Sequence, residues 1–312
     1  QAGERIYIPA AAGAVGIAAV QLAKQRGAEV VAVSSTSGKR ALTRTFGADE
    51  TLDYTEQTKP CDVVLSMRGG ALDEDIQRLA PFGRMVVYGA ASTEPRSLSP
   101  ACLAYLFDKP SLGQSITAFN LGAYFGLRQE QVGAAIGHVV QAYAKSSLQP
   151  CIGSILPLAA APLIHRRLES RQSVGKAILQ PTSDAQFNDD TVYASRLCRF
   201  DRHEDTMAFV WREETASMTL SDFQREMKRF GEMVAIHQTP HLLVDLRNFQ
   251  YRGDTIPEQW RVQEVLPLYA RGGASKMAFT ASGHRGQDIQ HDFGLKERWF
   301  DRADDAEAWL AS

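Results

Sequence analysis

A run of small residues near the start of the chain, AAGAVG at positions 11–16, has the composition and spacing of a dinucleotide-binding turn. It matches the G-x-G-x-x-G pattern with alanine in place of the first glycine. Gly13 would let the backbone approach a pyrophosphate, and Gly16 would let a helix pack closely on the preceding strand. The helix N-terminus, at Ala14 and Val15, would offer N–H groups and a partial positive charge to the phosphates. Small residues also serve plain helix–strand packing, so the turn by itself leaves both interpretations open.

A second group, Ser34 and Ser35 with Lys39 and Arg40, follows the next apolar segment. An NAD-binding chain usually carries Asp or Glu about 20 residues beyond the glycines, where it binds the ribose 2′-hydroxyl. Here hydroxyls and cations occupy that region, and they favour the 2′-phosphate that a carboxylate would repel. The sequence therefore predicts NADPH rather than NADH, although Lys39 could also be a solvated loop charge.

The histidines and cysteines form no comparable pattern. His237 and His241 are four positions apart, but Pro240 lies between them and argues against two ligands on one helical face. The cysteines are far apart and form no C-x-x-C pair, which argues against a structural zinc site and predicts buried, reduced thiols. The sequence thus predicts no metal site, and the four cysteines are Cys61, Cys102, Cys151 and Cys198.

Apolar segments and helical patterns alternate over the first half of the chain. Gly27 and Gly47 stand where helices would end. Strands that alternate with helices indicate βαβ units, and therefore an α/β fold with a doubly wound parallel sheet of the Rossmann type. We predict strands at residues 5–10, 29–33, 62–65, 84–88 and 176–179, and helices at 15–26, 39–46, 72–79, 129–144 and 160–170.

The polar, turn-rich stretch PTSDAQFNDD at 181–190 has the composition of a linker. We predict a dinucleotide-binding domain at 1–181, a linker at 182–192 and a smaller α/β domain at 193–312. In the second domain Ser221 is a good helix N-cap, and apolar residues at 223, 227, 230 and 234 form one face of the helix that follows. Asp301 could cap the last helix. The predicted order of this domain is β-β-α-β-α-β-α.

Length and composition are those of an ordinary globular protein with two domains. The chain has 312 residues, of which 44% are hydrophobic and 22% charged, and its formal net charge is −2. That charge indicates neither a nucleic-acid nor a membrane partner, and no run of about 18 apolar residues suggests a membrane span. The first residues lack a signal-peptide layout, so we expect a cytoplasmic protein. Because the chain begins at Gln1 instead of Met, we also expect a processed or shortened fragment.

Many of these segments resemble the zinc-independent quinone oxidoreductases, and the related enoyl reductases, of the medium-chain dehydrogenase/reductase superfamily. The similarity covers residues 3–181 almost without gaps, and so many ordered elements at matching spacing make it specific for the cofactor domain. It rests on AAAGAVGIAAVQL at 10–22, GAD at 47–49, DY at 53–54, DVVL at 62–65, LAPFGR at 79–84, VYGAAS at 87–92, HRRLES at 165–170 and GKAIL at 175–179.

The resemblance implies an NADPH site with contacts at three points of the cofactor. Tyr54 could equally be an ordinary half-buried aromatic residue, and Phe119 a core residue. The residues implied are Ser34 or Ser35 with Lys39 and Tyr54 for the 2′-phosphate, Gly13, Ala14 and Val15 with the packing residue Gly16 for the pyrophosphate, and Gly89 and Ala90 beside the nicotinamide. Phe119, Asn120 and Leu121 resemble a cofactor-contacting loop of the family.

The chain also departs from that family. The family's N-terminal GroES-like catalytic domain has no counterpart here, so neither a zinc site nor a catalytic residue can be carried over. Pro9 falls in the first predicted strand and has no N–H to donate to a neighbouring strand. Such a loss is tolerated at the end of a strand. Ser66-Met67-Arg68 replaces the usual acid-small-Val before the paired glycines, and Arg68 could touch the cofactor or point into solvent.

The second half is more faintly similar to STAS-type domains, the anti-sigma-factor-antagonist-like folds. The similarity rests on LVDLRNF at 243–249, KMAF at 276–279 and RWFD at 298–301. Some such domains switch partners when a serine at a helix start is phosphorylated. Thr255 is the nearest residue here, but the Asp-Ser pattern is missing and a helix cap is the simpler interpretation. The resemblance implies a possible protein partner for this domain.

Three functions are compatible with these features. The first is an NADPH-dependent reductase of a small-molecule quinone or α,β-unsaturated carbonyl, whose missing half comes from another chain or has been removed. The second is a non-enzymatic NADPH-binding regulator that acts through its C-terminal domain. The third is a scaffold derived from an enoyl reductase, which binds no nucleotide. Because family members often pair through the cofactor domain, we also expect a homodimer formed at an exposed sheet edge.

Overall fold

The computed structural model describes residues 1–67, 72–89, 98–108, 112–181, 185–253, 258–282 and 288–312. The chain divides into two compact units, Gln1–Pro150 and Cys151–Ser312. None of the helices in the described ranges is long and apolar enough to cross a membrane.

Strands and helices alternate through most of the first unit, as predicted, but the prediction omitted the strands at 50–52 and 115–118 and the helices at 100–108 and 121–127. Gly27 and Gly47 lie two residues beyond the last residues of the first two helices, with φ of +75° and +105°, and the C-caps are Arg26 and Phe46, one residue before each glycine. The strands are β1 Arg5–Ile8, β2 Glu29–Val33, β3 Glu50–Leu52, β4 Cys61–Ser66, β5 Leu79–Val87 and β6 Ser115–Ala118. The helices are α1 Ala14–Gln25, α2 Ser37–Thr45, α3 Leu72–Gln77, α4 Pro100–Asp108, α5 Leu121–Leu127 and α6 Gln129–Ala144.

These strands form one parallel sheet in the order β3-β2-β1-β4-β5-β6. From the central pair β1 and β4, the chain adds strands in opposite directions. This arrangement confirms the predicted α/β fold with a parallel, doubly wound sheet. In such sheets, ligands bind outside the carboxyl ends of the strands at the point where the order reverses.

Both faces of the parallel sheet are covered at β1. Tyr7 and Ile8 are neighbours in this strand, so they point to opposite faces, and both are buried. Tyr7 packs in a core that contains Val64, and Ile8 packs in a second core that contains Val20. Burial on both faces explains why these strands are short continuous apolar runs. Pro9 comes directly after β1, where a strand can spare an N–H.

The second unit contains a larger, mixed α/β arrangement. Its strands are β7 Ile152–Pro157, β8 Lys176–Gln180, β9 Thr191–Ala194, β10 Cys198–His203, β11 Thr206–Trp211, β12 His241–Asp245, β13 Lys276–Thr280, β14 Ile289–Gln290 and β15 Lys296–Phe300. Its α-helices are α7 Ala161–Glu169, α8 Leu220–His237, α9 Glu258–Trp260, α10 Leu266–Arg271 and α11 Ala303–Ala311, and a π-helical turn at Arg261–Val265 joins α9 to α10.

The strands of the second unit form one sheet in the order β14-β15-β13-β12-β11-β10-β9-β7-β8. β10 runs antiparallel to β9 and β11, and β14 runs antiparallel to β15. The remaining neighbours are parallel. The order predicted from the sequence omitted β9, β14 and β15.

The division between the units differs from the predicted boundary at residue 181. The structure divides after Pro150, because β7 pairs with β9 in the second sheet through Ile155 and Tyr193. Ile155 also packs in the same core as Val192 and Phe200. Residues 151–180 therefore belong with the second unit, and β9 begins inside the segment predicted as a linker. Residues 182–184 of that linker lie outside the described ranges.

The apolar face predicted for the helix beyond Ser221 is confirmed in α8. The ring of Phe230 lies 5.2 Å from the ring of Phe200 and 4.9 Å from that of Phe209, measured between centroids. Aromatic contacts of this kind add to the stability gained by burial alone. The four predicted positions are all buried: Phe223, Met227, Phe230 and Val234.

Two helix starts differ from the prediction. The N-cap of α8 is Thr219, not Ser221: Thr219 Oγ1 accepts a hydrogen bond from the Asp222 N–H, and the Asp222 carboxylate accepts one from the Thr219 N–H, both at 3.1 Å. This reciprocal pair is a capping box. Arg302, rather than Asp301, is the N-cap of α11. Thr255 lies outside the described residues.

Candidate cofactor-binding site

The glycine turn links the carboxyl end of β1 to α1, and Gly16 determines how closely the two approach. A Cβ on Gly16 would lie 2.5 Å from the Ala10 carbonyl oxygen and 2.6 Å from the Ala11 Cα. Because backbone atoms cannot give way as a flexible side chain can, only glycine fits there. A Cβ on Gly13 would meet the Ala10 oxygen alone, at 3.3 Å. The turn is therefore open beside Gly13, the point at which a pyrophosphate would approach.

The N-terminus of α1 has the features of an anion-binding end. Ala14 and Val15 begin the helix, and helix geometry leaves their N–H groups without acceptors inside the helix. Val15 is 56% exposed, and the first turn contains no acidic residue that would compete with an anion. A phosphate at this end would meet N–H donors and the positive end of the helix dipole.

Tyr54, two residues beyond β3, lies against the glycine turn. Its hydroxyl oxygen accepts a hydrogen bond from the Ala10 N–H at 3.1 Å. Ala10 has a φ of +50°, in the left-handed region that alanine rarely adopts, so this bond helps to hold the turn. The structure thus brings Tyr54 to the same turn as Gly13. Its contact with a 2′-phosphate remains a prediction.

The residues predicted to bind the 2′-phosphate lie between β2 and α2. Ser34 is only 2% exposed, and its hydroxyl has no hydrogen-bond partner among the described residues, which is uncommon for a buried polar group. Ser35 is exposed. The Thr36 side chain caps α2 by accepting a hydrogen bond from the Lys39 N–H at 3.2 Å, so Lys39 lies in the first turn of that helix. Hydroxyls, a cation and a helix N-terminus are together here.

An ion pair that the sequence analysis did not identify lies beside these residues. Arg40 Nη1 donates to the Ser34 carbonyl oxygen at 3.1 Å and to Asp53 Oδ2 at 3.0 Å. Asp53 comes from the end of β3, which pairs with β2. A carboxylate is therefore present at this end of the site after all, but it is paired with Arg40. The pair fixes the guanidinium against the backbone of Ser34.

The residues predicted beside the nicotinamide follow β5, and the predicted cofactor-contacting loop follows β6, its neighbour in the sheet. The Phe119 N–H donates to the Val87 carbonyl oxygen at 2.8 Å. The Asn120 side-chain oxygen caps α5 by accepting a hydrogen bond from the Ala123 N–H at 3.2 Å. Phe119 is 39% exposed, so it is not a core residue. Ala90 lies outside the described residues.

Gly89 and Tyr88 continue from β5 towards the end of β4. A Cβ on Gly89 would lie 3.4 Å from the Met67 Cβ, and the Tyr88 N–H donates to the Ser66 carbonyl oxygen at 3.0 Å. The Ser66 hydroxyl donates to the Asp75 carboxylate at 2.7 Å, and both residues are buried. Burial raises the pKa of Tyr88, whose hydroxyl finds no partner in the described part of the chain. Arg68, next along the chain, lies outside those residues.

Over the described ranges, no group of three or more His, Cys, Asp or Glu side chains converges to hold a metal ion. His237 instead hydrogen-bonds through Nε2 to the Gly153 carbonyl oxygen at 2.7 Å. The cysteines are unpaired and buried, as predicted, at Cys61, Cys102, Cys151 and Cys198.

Comparison with known proteins agrees with this geometry. Residues 14–118, from the start of α1 to the end of β6, match the family model described as zinc-binding dehydrogenase. This segment, called the dehydrogenase domain below, is the part of the chain that is similar to that family. The dehydrogenase domain thus includes the helix that follows the glycine turn and the strand ends at which the predicted site residues lie. The resemblance predicted from the sequence is supported over these residues. The STAS-like character of the second unit remains a prediction.

Relatives of the dehydrogenase domain include stand-alone and multidomain proteins. The chain is 30% identical over 191 residues to a quinone oxidoreductase of Pseudomonas aeruginosa, an alignment that covers 57% of each protein. It is 33% identical over 199 residues to a highly reducing polyketide synthase of Aspergillus niger, covering 57% of this chain and 8% of the synthase. The chain therefore spans little more than half the length of the curated quinone oxidoreductases that it matches.

Solved structures share the fold around the dehydrogenase domain. The quinone oxidoreductase of Thermus thermophilus, studied alone and in complex with NADPH, is 31% identical with a TM-score of 0.50, over 57% of this chain and 59% of that one. The Escherichia coli quinone oxidoreductase in complex with NADPH is 25% identical with a TM-score of 0.51, over 58% of each chain. In both comparisons, the similarity in sequence is accompanied by a similar backbone fold.

Proposed function

We propose that the first unit binds NADPH and that the chain is the cofactor-binding part of an NADPH-dependent oxidoreductase. The observation that supports this most strongly is the collection of Ser34, Lys39 and Tyr54 around a glycine turn at the strand-order reversal. Ser34 and Lys39 come from the connection between β2 and α2, and Tyr54 comes from the segment after β3. Plain helix–strand packing would not require these side chains together. The quinone oxidoreductases solved in complex with NADPH have the same fold.

The residues present fit the proposed cofactor. The buried Ser34 hydroxyl has no partner among the described residues, and a 2′-phosphate oxygen would supply one. Lys39 would neutralise the phosphate charge, and the open end of α1 beside Gly13 would hold the pyrophosphate. When bound, NADPH supplies a hydride. The protein's task is to hold and orient the cofactor so that its nicotinamide faces the strand ends near Gly89 and Phe119.

The substrate class is proposed from the relatives. Quinone oxidoreductases suggest a quinone, and the polyketide synthase suggests an α,β-unsaturated carbonyl of the enoyl-reductase type. Because the chain spans 57% of the Pseudomonas enzyme, we propose that turnover also needs the part of such an enzyme that this sequence does not span. For the second unit, we propose a STAS-like role in binding a protein partner. We further propose that the chain forms a homodimer through the first unit.

The proposal is tested by titrating the purified chain with NADPH and NADH in a calorimeter. We expect NADPH to bind more tightly than NADH, because only NADPH carries the 2′-phosphate. Lys39→Ala should weaken NADPH binding by roughly tenfold, the loss expected for one charge-assisted phosphate contact, and should leave NADH binding unchanged. Lys145→Ala, which removes the same charge from an exposed position after α6, is the matched control.

Each outcome separates the alternatives. Binding of neither nucleotide would refute the proposal and favour a scaffold role. NADPH binding that Lys145→Ala weakens as much as Lys39→Ala would reject the assigned phosphate site. Tight, Lys39-dependent binding would be followed by quinone turnover assays. If turnover stayed absent after a quinone oxidoreductase substrate domain had been added, the non-enzymatic regulator would be the better description.

A further inference from the structure

A carboxylate lies at the end of the site where the 2′-phosphate of NADPH is proposed to bind. Asp53 directly follows β3, and Leu52, the last residue of β3, accepts a hydrogen bond through its carbonyl oxygen from the Ser34 N–H at 3.0 Å. Asp53 is therefore close to the end of β2, the strand that Ser34 follows. In NAD-binding chains an acid near this strand end binds the ribose 2′-hydroxyl. An unpaired carboxylate here would repel the negatively charged 2′-phosphate of NADPH.

Arg40 neutralises that carboxylate. Its Nη1 donates to Asp53 Oδ2 at 3.0 Å and also to the Ser34 carbonyl oxygen at 3.1 Å. The Arg40 side chain is 25% exposed and that of Asp53 is 33% exposed, so salt screens this pair less than it would a fully exposed pair. The Arg40 N–H donates to the Thr36 carbonyl oxygen at 3.0 Å, which places Arg40 in the first turn of α2. The guanidinium is thus fixed between α2, the end of β2 and the segment after β3.

Two neighbours of Asp53 do not compensate its charge. The Thr55 N–H donates to Asp53 Oδ1 at 3.4 Å, and a neutral donor leaves the negative charge in place. Glu56 brings a second carboxylate close, because its Oε2 accepts a hydrogen bond from the Asp53 N–H at 2.5 Å. Removing Arg40 would therefore leave two carboxylates, with one cation fewer, beside the residues proposed to hold the phosphate.

We propose that Arg40 determines the preference for NADPH by neutralising Asp53. The inference rests on the proposed NADPH site and adds a specificity-determining pair to it. With the ion pair intact, the carboxylate does not oppose a 2′-phosphate held by Ser34 and Lys39. Without Arg40, the same carboxylate repels the phosphate and can accept a hydrogen bond from the ribose 2′-hydroxyl of NADH. Asp53 is then the acid that an NAD-binding chain uses, here neutralised by one cation.

The experiment is a calorimetric titration of the full chain and three variants with NADPH and with NADH. Arg40→Gln should weaken NADPH binding at least about tenfold, the effect of one uncompensated charge a few ångströms from a phosphate. NADH binding should stay unchanged or become tighter. Asp53→Asn should tighten NADPH binding by about threefold or more, because it leaves Arg40 as an unpaired cation beside the phosphate. The double variant Arg40→Gln/Asp53→Asn should bind NADPH within about threefold of the unaltered chain, because it removes both charges together.

A matched control comes from the same helix. Arg44→Gln removes the same charge from an exposed position in the last turn of α2, and should change NADPH binding by less than about threefold because water and salt screen that charge. Thermal unfolding of every chain checks that the fold survives. If Arg40→Gln failed to fold, the nearly isosteric Asp53→Asn would still decide, since tighter NADPH binding is expected only when the carboxylate opposes the phosphate.

Three results would overturn the inference while leaving the proposed cofactor in place. A double variant that binds NADPH as weakly as Arg40→Gln would show that Arg40 contacts the phosphate itself. Weaker NADPH binding by Asp53→Asn would show that the carboxylate only positions Arg40. An effect of Arg40→Gln no larger than that of Arg44→Gln would remove any special role of the pair. By contrast, an unaltered chain that binds neither nucleotide would refute the proposed function, and this inference with it.

Discussion

His237 shows how one buried side chain can link stability to pH. It ends α8, and its Nε2 donates to the Gly153 carbonyl oxygen at 2.7 Å, since a carbonyl can only accept. Its Nδ1 is buried and has no partner among the described residues. Burial lowers the pKa of His237 to about 4, and the charges of Arg202 and Arg167 lower it further. The folded state therefore holds this imidazole neutral.

The sign of the pH effect follows from that lowered pKa. Between the ordinary pKa of 6.5 and about 4, the unfolded chain binds a proton that the folded chain does not. Stability is therefore fully present above pH 6.5 and is lost as the pH falls towards 4, by about 3 kcal/mol at most. Denaturant unfolding at several pH values measures this loss. His237→Gln should flatten the curve, and the exposed His203→Gln should not; equal slopes in all three chains would contradict the assignment.

Residue types identified part of the candidate site, but not its contacts. Ser34 and Lys39 were predicted because their chemistry and distance from the glycines suit a 2′-phosphate. The Arg40–Asp53 pair could not be predicted in the same way. It exists because β3 pairs with β2, and that pairing is a tertiary event with no local sequence signal. The bond from Ala10 to the Tyr54 hydroxyl depends on the same arrangement.

At the scale of elements, the start of α8 can be tested by comparing two hydroxyl residues. Thr219→Ala removes the side chain that caps the helix and should lower the free energy of unfolding by about 1 kcal/mol. Ser221→Ala lies inside the helix, where alanine is the better residue, and should be neutral or slightly stabilising. Urea denaturation of both variants measures the difference. A larger loss for Ser221→Ala would restore the N-cap predicted from the sequence.

Long periodic elements were predictable, and short strands at sheet margins were not. The face of α8 repeats at helical spacing over three turns, so its burial followed from the pattern alone. β14 has two residues and β9 has four, too few for a period to emerge. Their strand conformation is set by neighbours, β15 for the first and β7 and β10 for the second. The conformation of such short strands therefore depends on the neighbouring strands and cannot be predicted from their own residues.

For the whole molecule, the division after Pro150 makes a prediction about fragments. Residues 151–312 should unfold cooperatively, because they contain the complete nine-stranded sheet. Residues 182–312 should unfold at a lower denaturant concentration, since β9 loses its neighbour β7 and the core loses Ile155. Circular dichroism during urea titration compares the two. Equal midpoints would instead support the boundary predicted at residue 181.

The misplaced boundary has a physical explanation. The stretch from Pro181 to Asp190 has the polar composition of a linker, and composition is a local property. The unit to which a segment belongs depends on the strands with which it pairs. β7 pairs with β8, which precedes the polar stretch, and with β9, which follows it. A polar connection can therefore join two strands of one sheet.

The place of β7 and β8 at one edge of the second sheet also affects how the protein is made. A ribosome releases the first unit complete once Pro150 has emerged, and domains generally fold as they appear. β7 and β8 come next, but β9 and α8, which cover Ile155, are synthesised later. Until α8 has left the ribosome, the nascent chain carries two strands with an uncovered apolar side. The apolar side of β7 therefore stays uncovered at least from translation of residue 157 until translation of residue 237.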